Sequence, residues 1–273
     1  MTIKAFLKAH PVFRYEAFSA YMREQEGAAR EASIRQRLNY YHKTGKVSQI
    51  RRSLYAVNPE FSVAPAIDPY LIAAYATPEA ILAYHTALEF YGLAYTTFTE
   101  LVFLVNAQAR DFAFQGTHYR PVVQPKTLID QQQTTYEVDT VERQGLPIRI
   151  TSLERTFVDV LDRSDLAGGW EEVIRSLDHI VNINIKHVVD YALLLNKPVT
   201  IAKVGYFLEQ LPDYLKIEKR QVNRLLTHIP QQPYYLEPKE KGQGKGKYVA
   251  KWQLIVPEII IQRGWEEPDS DAL

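Results

Sequence analysis

The chain has 273 residues, room for one large domain or two ordinary ones, and its 46% hydrophobic and 23% charged residues are the proportions of a soluble globular fold. It contains no cysteine, which excludes a disulfide framework and thiolate metal sites and agrees with a reducing, cytoplasmic setting. Net charge is zero, yet residues 1–60 carry 11 Lys and Arg against 5 Asp and Glu, residues 61–190 carry 9 against 17, and residues 191–273 carry 12 against 10. A basic head ahead of an acidic middle implies different partners for different parts of the chain.

The start, "MTIKAFLKAHPVF", scatters charges where a signal peptide needs an apolar core, and apolar runs such as "YALLLNKPV" are too short to span a membrane. A soluble intracellular protein with no membrane partner is expected. "IKAFLKAH" and "YEAFSAYMREQ" have the spacing of two short amphipathic helices. In the next one, Ile34, Leu38 and Tyr41 fall at i, i+4 and i+7 as an inward stripe, and Gly45 stops the helix. Arg35, Gln36, Asn39, Tyr40 and Lys43 point the other way. "KVSQI" and "LYAV" then alternate as two short strands joined through Arg51-Arg52-Ser53. "NPEFSVAPAIDP" (58–69), with three prolines, reads as an extended linker.

Beyond the linker, "DPYLIAAYATPEAILAYHTALEFYGL" holds two short helices, with Asp68 as a cap and Gly92 as a stop. "TELVFLVNAQ" and "DFAFQGTHYRPVVQ" look like strands, and "YEVDTVERQGLPIRITS" like a hairpin turning at Gln144-Gly145. "TSLERTFVDVLDRSDLAGGWEEVIRSLDHI" gives a Ser-capped helix, a Gly-Gly break and a second helix. Helical patterns follow at 186–196, 199–211 and 217–229, and "YVAKWQLIVP" closes the chain as a strand. The expected fold class is α+β: a winged helix-turn-helix over 1–60 and a larger mixed α/β body over 61–273.

Helix, helix, basic helix, basic hairpin is the order of a winged helix-turn-helix, whose outward helix enters the major groove while its hairpin lies on phosphates. The candidate DNA-binding residues are Ser33, Arg35, Gln36, Asn39, Tyr40, Lys43, Arg51 and Arg52. Arg pairs with guanine, Asn and Gln with adenine, and Lys or Arg neutralise phosphate. No acid between residues 33 and 57 offsets these cations. Tyr40 fits either a phosphate contact or packing against the hairpin. "KGQGKGK" (241–247) fits either a flexible basic loop or a second backbone contact.

"RLNYYHKTGKVSQIRRSLYAVNP" resembles the N-terminal winged-helix signature of AbiEi-type antitoxins, the regulator half of the AbiE (type IV) toxin–antitoxin systems. The shared pattern is a leucine-bearing helix, Gly-Lys-hydrophobic, an arginine turn and Leu-Tyr. The likeness continues through "DPYLIAAYATPEAILAYHTALEFYGL", "SLERTFVDVLDRSDLAGGWEEVIRSL", "KVGYFLEQL" and "YLEPKEKGQGKGKYVAKWQLIVP", nearly the whole chain in order. "SLERTFVDVL…GGWEEV" is its most specific piece. Two departures are visible: Arg52-Ser53 stands where Arg-Gly is commoner, and the last strand runs into Pro257 where asparagine is usual. The resemblance implies a prokaryotic phage-defence protein with two roles. Its winged helix would bind inverted repeats in its own double-stranded promoter DNA, self-associating there, as a transcriptional repressor. Its body would neutralise a nucleotidyltransferase-type toxin without a tight complex.

A catalytic constellation is not legible. The seven histidines show no metal-ligand spacing, and neither a G-x-S-x-G elbow nor a Walker-type loop is present. Glu154, Asp159 and Asp162 read as an ordinary solvated helix with internal ion pairs, the outer two about 12 Å apart by helix rise. His85 reads as a hydrogen-bonded packing residue. No catalytic residue, metal or cofactor is therefore expected. The competing readings are an orphan winged-helix regulator with an effector-binding body, and a nuclease built on the mixed sheet.

Overall fold

The computed structural model describes residues 2–27, 30–62, 66–212, 215, 217–236 and 246–263. The middle of the 58–69 linker, most of the 241–247 run and the tail after residue 263 lie outside the described residues. The fold is mixed α+β, with twelve α-helices and three sheets among the described residues.

The N-terminal elements are α1 (Ile3–Ala9), β1 (Val12–Arg14), α2 (Tyr15–Glu26), α3 (Glu31–Lys43), β2 (Val47–Arg51) and β3 (Leu54–Val57). Strand β3 lies between β1 and β2, antiparallel to both. The aromatic content of the helices supplies their core. Phe6, Phe13 and Phe18 meet ring to ring at centroid distances of 5.4–5.9 Å, and Ile34, Leu38, Val47 and Val57 close the cluster. Strand β1 is too short to betray itself in the sequence, yet it gives the hairpin a third strand.

A six-stranded sheet follows. Its strands are β4 (Ile81–Leu82), β5 (Glu100–Val105), β6 (Phe112–Phe114), β7 (Thr117–Val123), β8 (Val138–Arg143) and β9 (Leu146–Thr151), in the order β6-β7-β5-β4-β9-β8. Helix α4 (Pro69–Tyr75), capped by the Asp68 carboxylate at 2.8 Å from Tyr70 N, precedes it. "DFAFQGTHYRPVVQ" is a hairpin rather than one strand, because Gln115 and Gly116 both take positive φ and reverse the chain. Gln144-Gly145 turns the β8–β9 hairpin in the same way.

The remaining helices are α5 (His85–Phe90), α6 (Lys126–Asp130), α7 (Leu153–Asp162), α8 (Trp170–Asp178), α9 (Ile185–Leu195), α10 (Pro198–Leu208), α11 (Lys219–Asn223) and α12 (Glu258–Gln262). Strands β10 (Tyr234–Tyr235), β11 (Gly246–Val249) and β12 (Leu254–Pro257) form a small sheet with β12 central. "YVAKWQLIVP" therefore holds two antiparallel strands around a left-handed Gln253, not one.

By contacts the chain forms two compact units. One gathers residues 1–82, 98–123 and 139–150, and the other residues 83–97, 124–138 and 151–273. In the second, α7 packs against α5, α8, α9 and α10. That placement overturns the expectation of a solvated helix over 153–162. Every residue from Arg155 to Leu161 is buried, so the charged pair on α7 lies in a core. No helix among the described residues is long and apolar enough to cross a membrane.

Candidate nucleic-acid interface

Helix α3 sorts its side chains by burial. Ile34 and Leu38 sink into the aromatic core, whereas Ser33, Arg35, Gln36, Asn39, Tyr40 and Lys43 are exposed. At 3.6 residues per turn, Gln36, Asn39 and Lys43 stand opposite the buried stripe, with Tyr40 and Ser33 on one flank and Arg35 on the other. Tyr40 is 58% exposed and meets Tyr41 edge-on at 5.6 Å. The acid of this helix, Glu31, is covered at its N-terminal end. It accepts from the Tyr15 hydroxyl at 2.7 Å, from Arg23 at 2.9 Å and from Arg35 at 3.1 Å. The Tyr15 hydrogen bond, then Arg35, hold its carboxyl below the usual range. Arg35, whose guanidinium also lies 5.1 Å from the Tyr15 ring centre, is thus partly committed within the protein.

The hairpin is tied to the end of that helix. The Ser48 hydroxyl donates to Asn58 Oδ1 at 2.7 Å, the Asn58 amide donates to the Gly45 carbonyl, and His42 Nδ1 lies 3.2 Å from the Val47 carbonyl. At the tip, Ser53 adopts φ +63°, and its carbonyl accepts from Tyr15 N at 2.8 Å. The turn therefore keeps the left-handed geometry of a glycine without having one.

The two tip arginines have different surroundings. Arg52 is exposed. Arg51 is half-buried, its guanidinium 4.8 Å from the Phe112 ring centre, and its Nη1 donates to the Arg110 carbonyl at 3.4 Å. Burial, then the charge of Arg14, lower its pKa. Arg14 donates from Nη1 to the Ala76 carbonyl at 3.1 Å and pairs with Glu16 at 3.3 Å. Neither Arg14 nor Arg110 was marked by the sequence pattern, because what places them beside the hairpin is tertiary contact, not spacing.

No protein-family model matches the chain, and no curated protein does. A solved structure similar to it is that of the RV2827C protein from Mycobacterium tuberculosis. The two share 14% of residues, cover 97% of this chain and 94% of that one, and superpose with a TM-score of 0.60. The likeness is one of fold.

The three acids of α7, Glu154, Asp159 and Asp162, are engaged separately. Glu154 accepts from Asn184 N at 2.9 Å, and Asp162 pairs with Lys197 at 2.6 Å. Asp159 accepts from Arg155 Nε at 3.2 Å and from the Tyr191 hydroxyl at 2.7 Å. Burial raises the Asp159 pKa, against Arg155 and Tyr191. His85 is buried with Nε2 3.2 Å from Glu172, which also accepts from the backbone of Tyr95 and Thr96 and from the Thr96 hydroxyl. It is a hydrogen-bonded packing residue. Among the described residues no group of three or more His, Cys, Asp or Glu is placed to hold a metal ion.

Proposed function

We propose that this protein reads duplex DNA through a winged helix-turn-helix formed by residues 1–60, and that it acts as the antitoxin and autorepressor of an AbiE-type toxin–antitoxin pair. The observation that carries the first half is the outward face of α3. Gln36 and Asn39 offer amides that can pair with adenine, and Lys43 and Ser33 border them. The one acid of the helix is covered by Tyr15, Arg23 and Arg35. A three-stranded hairpin sheet stands beside the helix, as a wing on the phosphates would require. The second half rests on the motif resemblance, which extends across the body. This reading assigns the protein no catalytic step, metal or cofactor, and its partners are promoter DNA and a nucleotidyltransferase-type toxin.

Titration of the full chain against a labelled duplex of its own promoter tests the DNA half. Affinity falls steeply with salt as condensed counterions are released. Gln36→Ala or Asn39→Ala relaxes preference at one or two base pairs, at about 1–3 kcal/mol each. Equal affinity of wild type and both variants for promoter and scrambled duplexes would remove the assignment. Growth of cells expressing a nucleotidyltransferase encoded beside this gene, with and without this chain, tests the antitoxin half. No rescue, or no such neighbouring gene, would leave an orphan regulator.

A further inference from the structure

We infer that the phosphate-binding track of the hairpin continues onto the six-stranded sheet through Arg110, and that Arg51 is the latch holding hairpin and sheet in register. The inference rests on the DNA-binding reading and deepens it. Arg51, the central cation of this region, is spent inside the protein: its guanidinium lies over Phe112, the first residue of edge strand β6, and donates to the carbonyl of Arg110. Arg14 is spent in the same way, on the carbonyls of Tyr75 and Ala76. Two arginines adjoin the latch, Arg52 next to it in sequence and Arg110 through the carbonyl that Arg51 holds. Arg52 and Arg110 are both exposed, and no carboxylate among the described residues pairs with either.

The nearest acid in sequence, Asp111, is engaged by His118 instead. Its Oδ2 lies 3.0 Å from His118 Nε2, while His118 Nδ1 lies 2.9 Å from Glu100 and Arg120 lies 3.4 Å from the same carboxylate. The hydrogen bond to Glu100 chiefly, and Asp111 with it, raise the His118 pKa and favour its cationic form. The edge of the sheet thus presents an exposed arginine beside a basic hairpin, with the neighbouring acid held by His118. A phosphodiester chain is the partner that such a row of separated cations fits, since successive phosphates recur along a backbone and need no pocket. This places a DNA contact within residues 61–190, where acids outnumber Lys and Arg by 17 to 9.

Anisotropy titrations of the full-length protein with a labelled promoter duplex, across a salt series, test it. Arg110→Ala and Arg52→Ala each weaken binding several-fold and each reduce the slope of log affinity against log salt by about 0.9, the loss of one phosphate contact. Arg110→Lys restores most of the affinity, and Lys186→Ala on α9 leaves it unchanged. Arg51→Ala weakens binding with little change of slope, as a positioning residue would. Wild-type affinity and slope for Arg110→Ala, with Arg52→Ala impaired, would overturn the extended track and leave the DNA reading standing. Absence of duplex binding by the wild-type protein would overturn both. Loss of polyglutamate binding in Arg110→Ala with DNA binding intact would assign Arg110 to an acidic protein partner and overturn the proposal as well.

Discussion

Arg155 and Asp159 stand four apart on α7, a spacing that contributes only a few tenths of a kcal/mol on a solvated helix. Here both are buried, and each of the three guanidinium nitrogens donates. Arg155 donates to Asp159, to the carbonyls of Thr134 and Tyr136 at 3.2 and 2.9 Å, and to Gln124 at 2.8 Å. Burial opposes its charge, but Tyr191 and Asp159 together raise its pKa. Arg155→Ala leaves a buried carboxylate and two carbonyls without their donor, so urea unfolding should show a loss of about 3–5 kcal/mol. Arg155→Lys should recover little of it, because an ammonium cannot reproduce the fork. An unchanged midpoint for either variant would show that water replaces the network. Ser53 carries the opposite lesson. Its left-handed φ strains an L-residue by about 1–2 kcal/mol, so Ser53→Gly should raise stability by a net ~0.5–1 kcal/mol after the added unfolded-state entropy. A lower melting temperature would mean that the Ser53 side chain makes up for the strain.

At the scale of elements, α10 approaches the 3-10 turn before β12 too closely for any side chain at Gly205. A Cβ there would sit 2.1 Å from the Trp252 ring, whose Nε1 donates to Glu209 at 2.8 Å one turn further along the helix. Gly205→Ala, which elsewhere in a helix would stabilise, should here destabilise by about 1–3 kcal/mol through overpacking, read from thermal or denaturant unfolding. A gain in stability would show that Trp252 moves aside at little cost. Strands β5 and β7 meet at Glu100 and His118, with Asp111 leading into β6 on the other side of the ring. Because the folded state raises the His118 pKa above its usual 6.5, its contribution is fully present below 6.5 and is lost as pH rises through the raised value. The ring is partly exposed, so the effect is modest and screened by salt. Melting temperature followed from pH 6.5 upward should decline less steeply in His118→Gln than in wild type. Parallel curves would remove His118 as the cause.

For the whole molecule, what could be read in advance followed the regularity of each signal. The stripe Ile34, Leu38, Tyr41 fixed α3 and its outward face because the 3.6-residue period needs no tertiary knowledge. The turn at Gln144-Gly145 and the cap at Ser152 were visible for the same reason, being local chemistry. Strand β1 hid between two helices in three residues, and α7 misled because charged residues mark a surface by default until a partner is supplied from elsewhere in the chain. Arg51 belongs with α7. Its neighbours Phe112 and Arg110 are about sixty residues away, beyond the range of any spacing rule.

That separation has a consequence for the order in which the protein takes shape during synthesis. The pairings of β1, β2 and β3 lie wholly within residues 12–57, so the helices and hairpin of the head hold all their own strand partners once that stretch has left the ribosome. The sheet that carries the latch is a different matter. Its edge strand β6, which carries Phe112, pairs with β7 through Tyr119, and at roughly 5–20 residues per second that residue follows the head by about 3–12 s. The hairpin therefore acquires its shape before it acquires its bearing, and for that interval Arg51 is a second unengaged cation beside Arg52 rather than the pin that orients it.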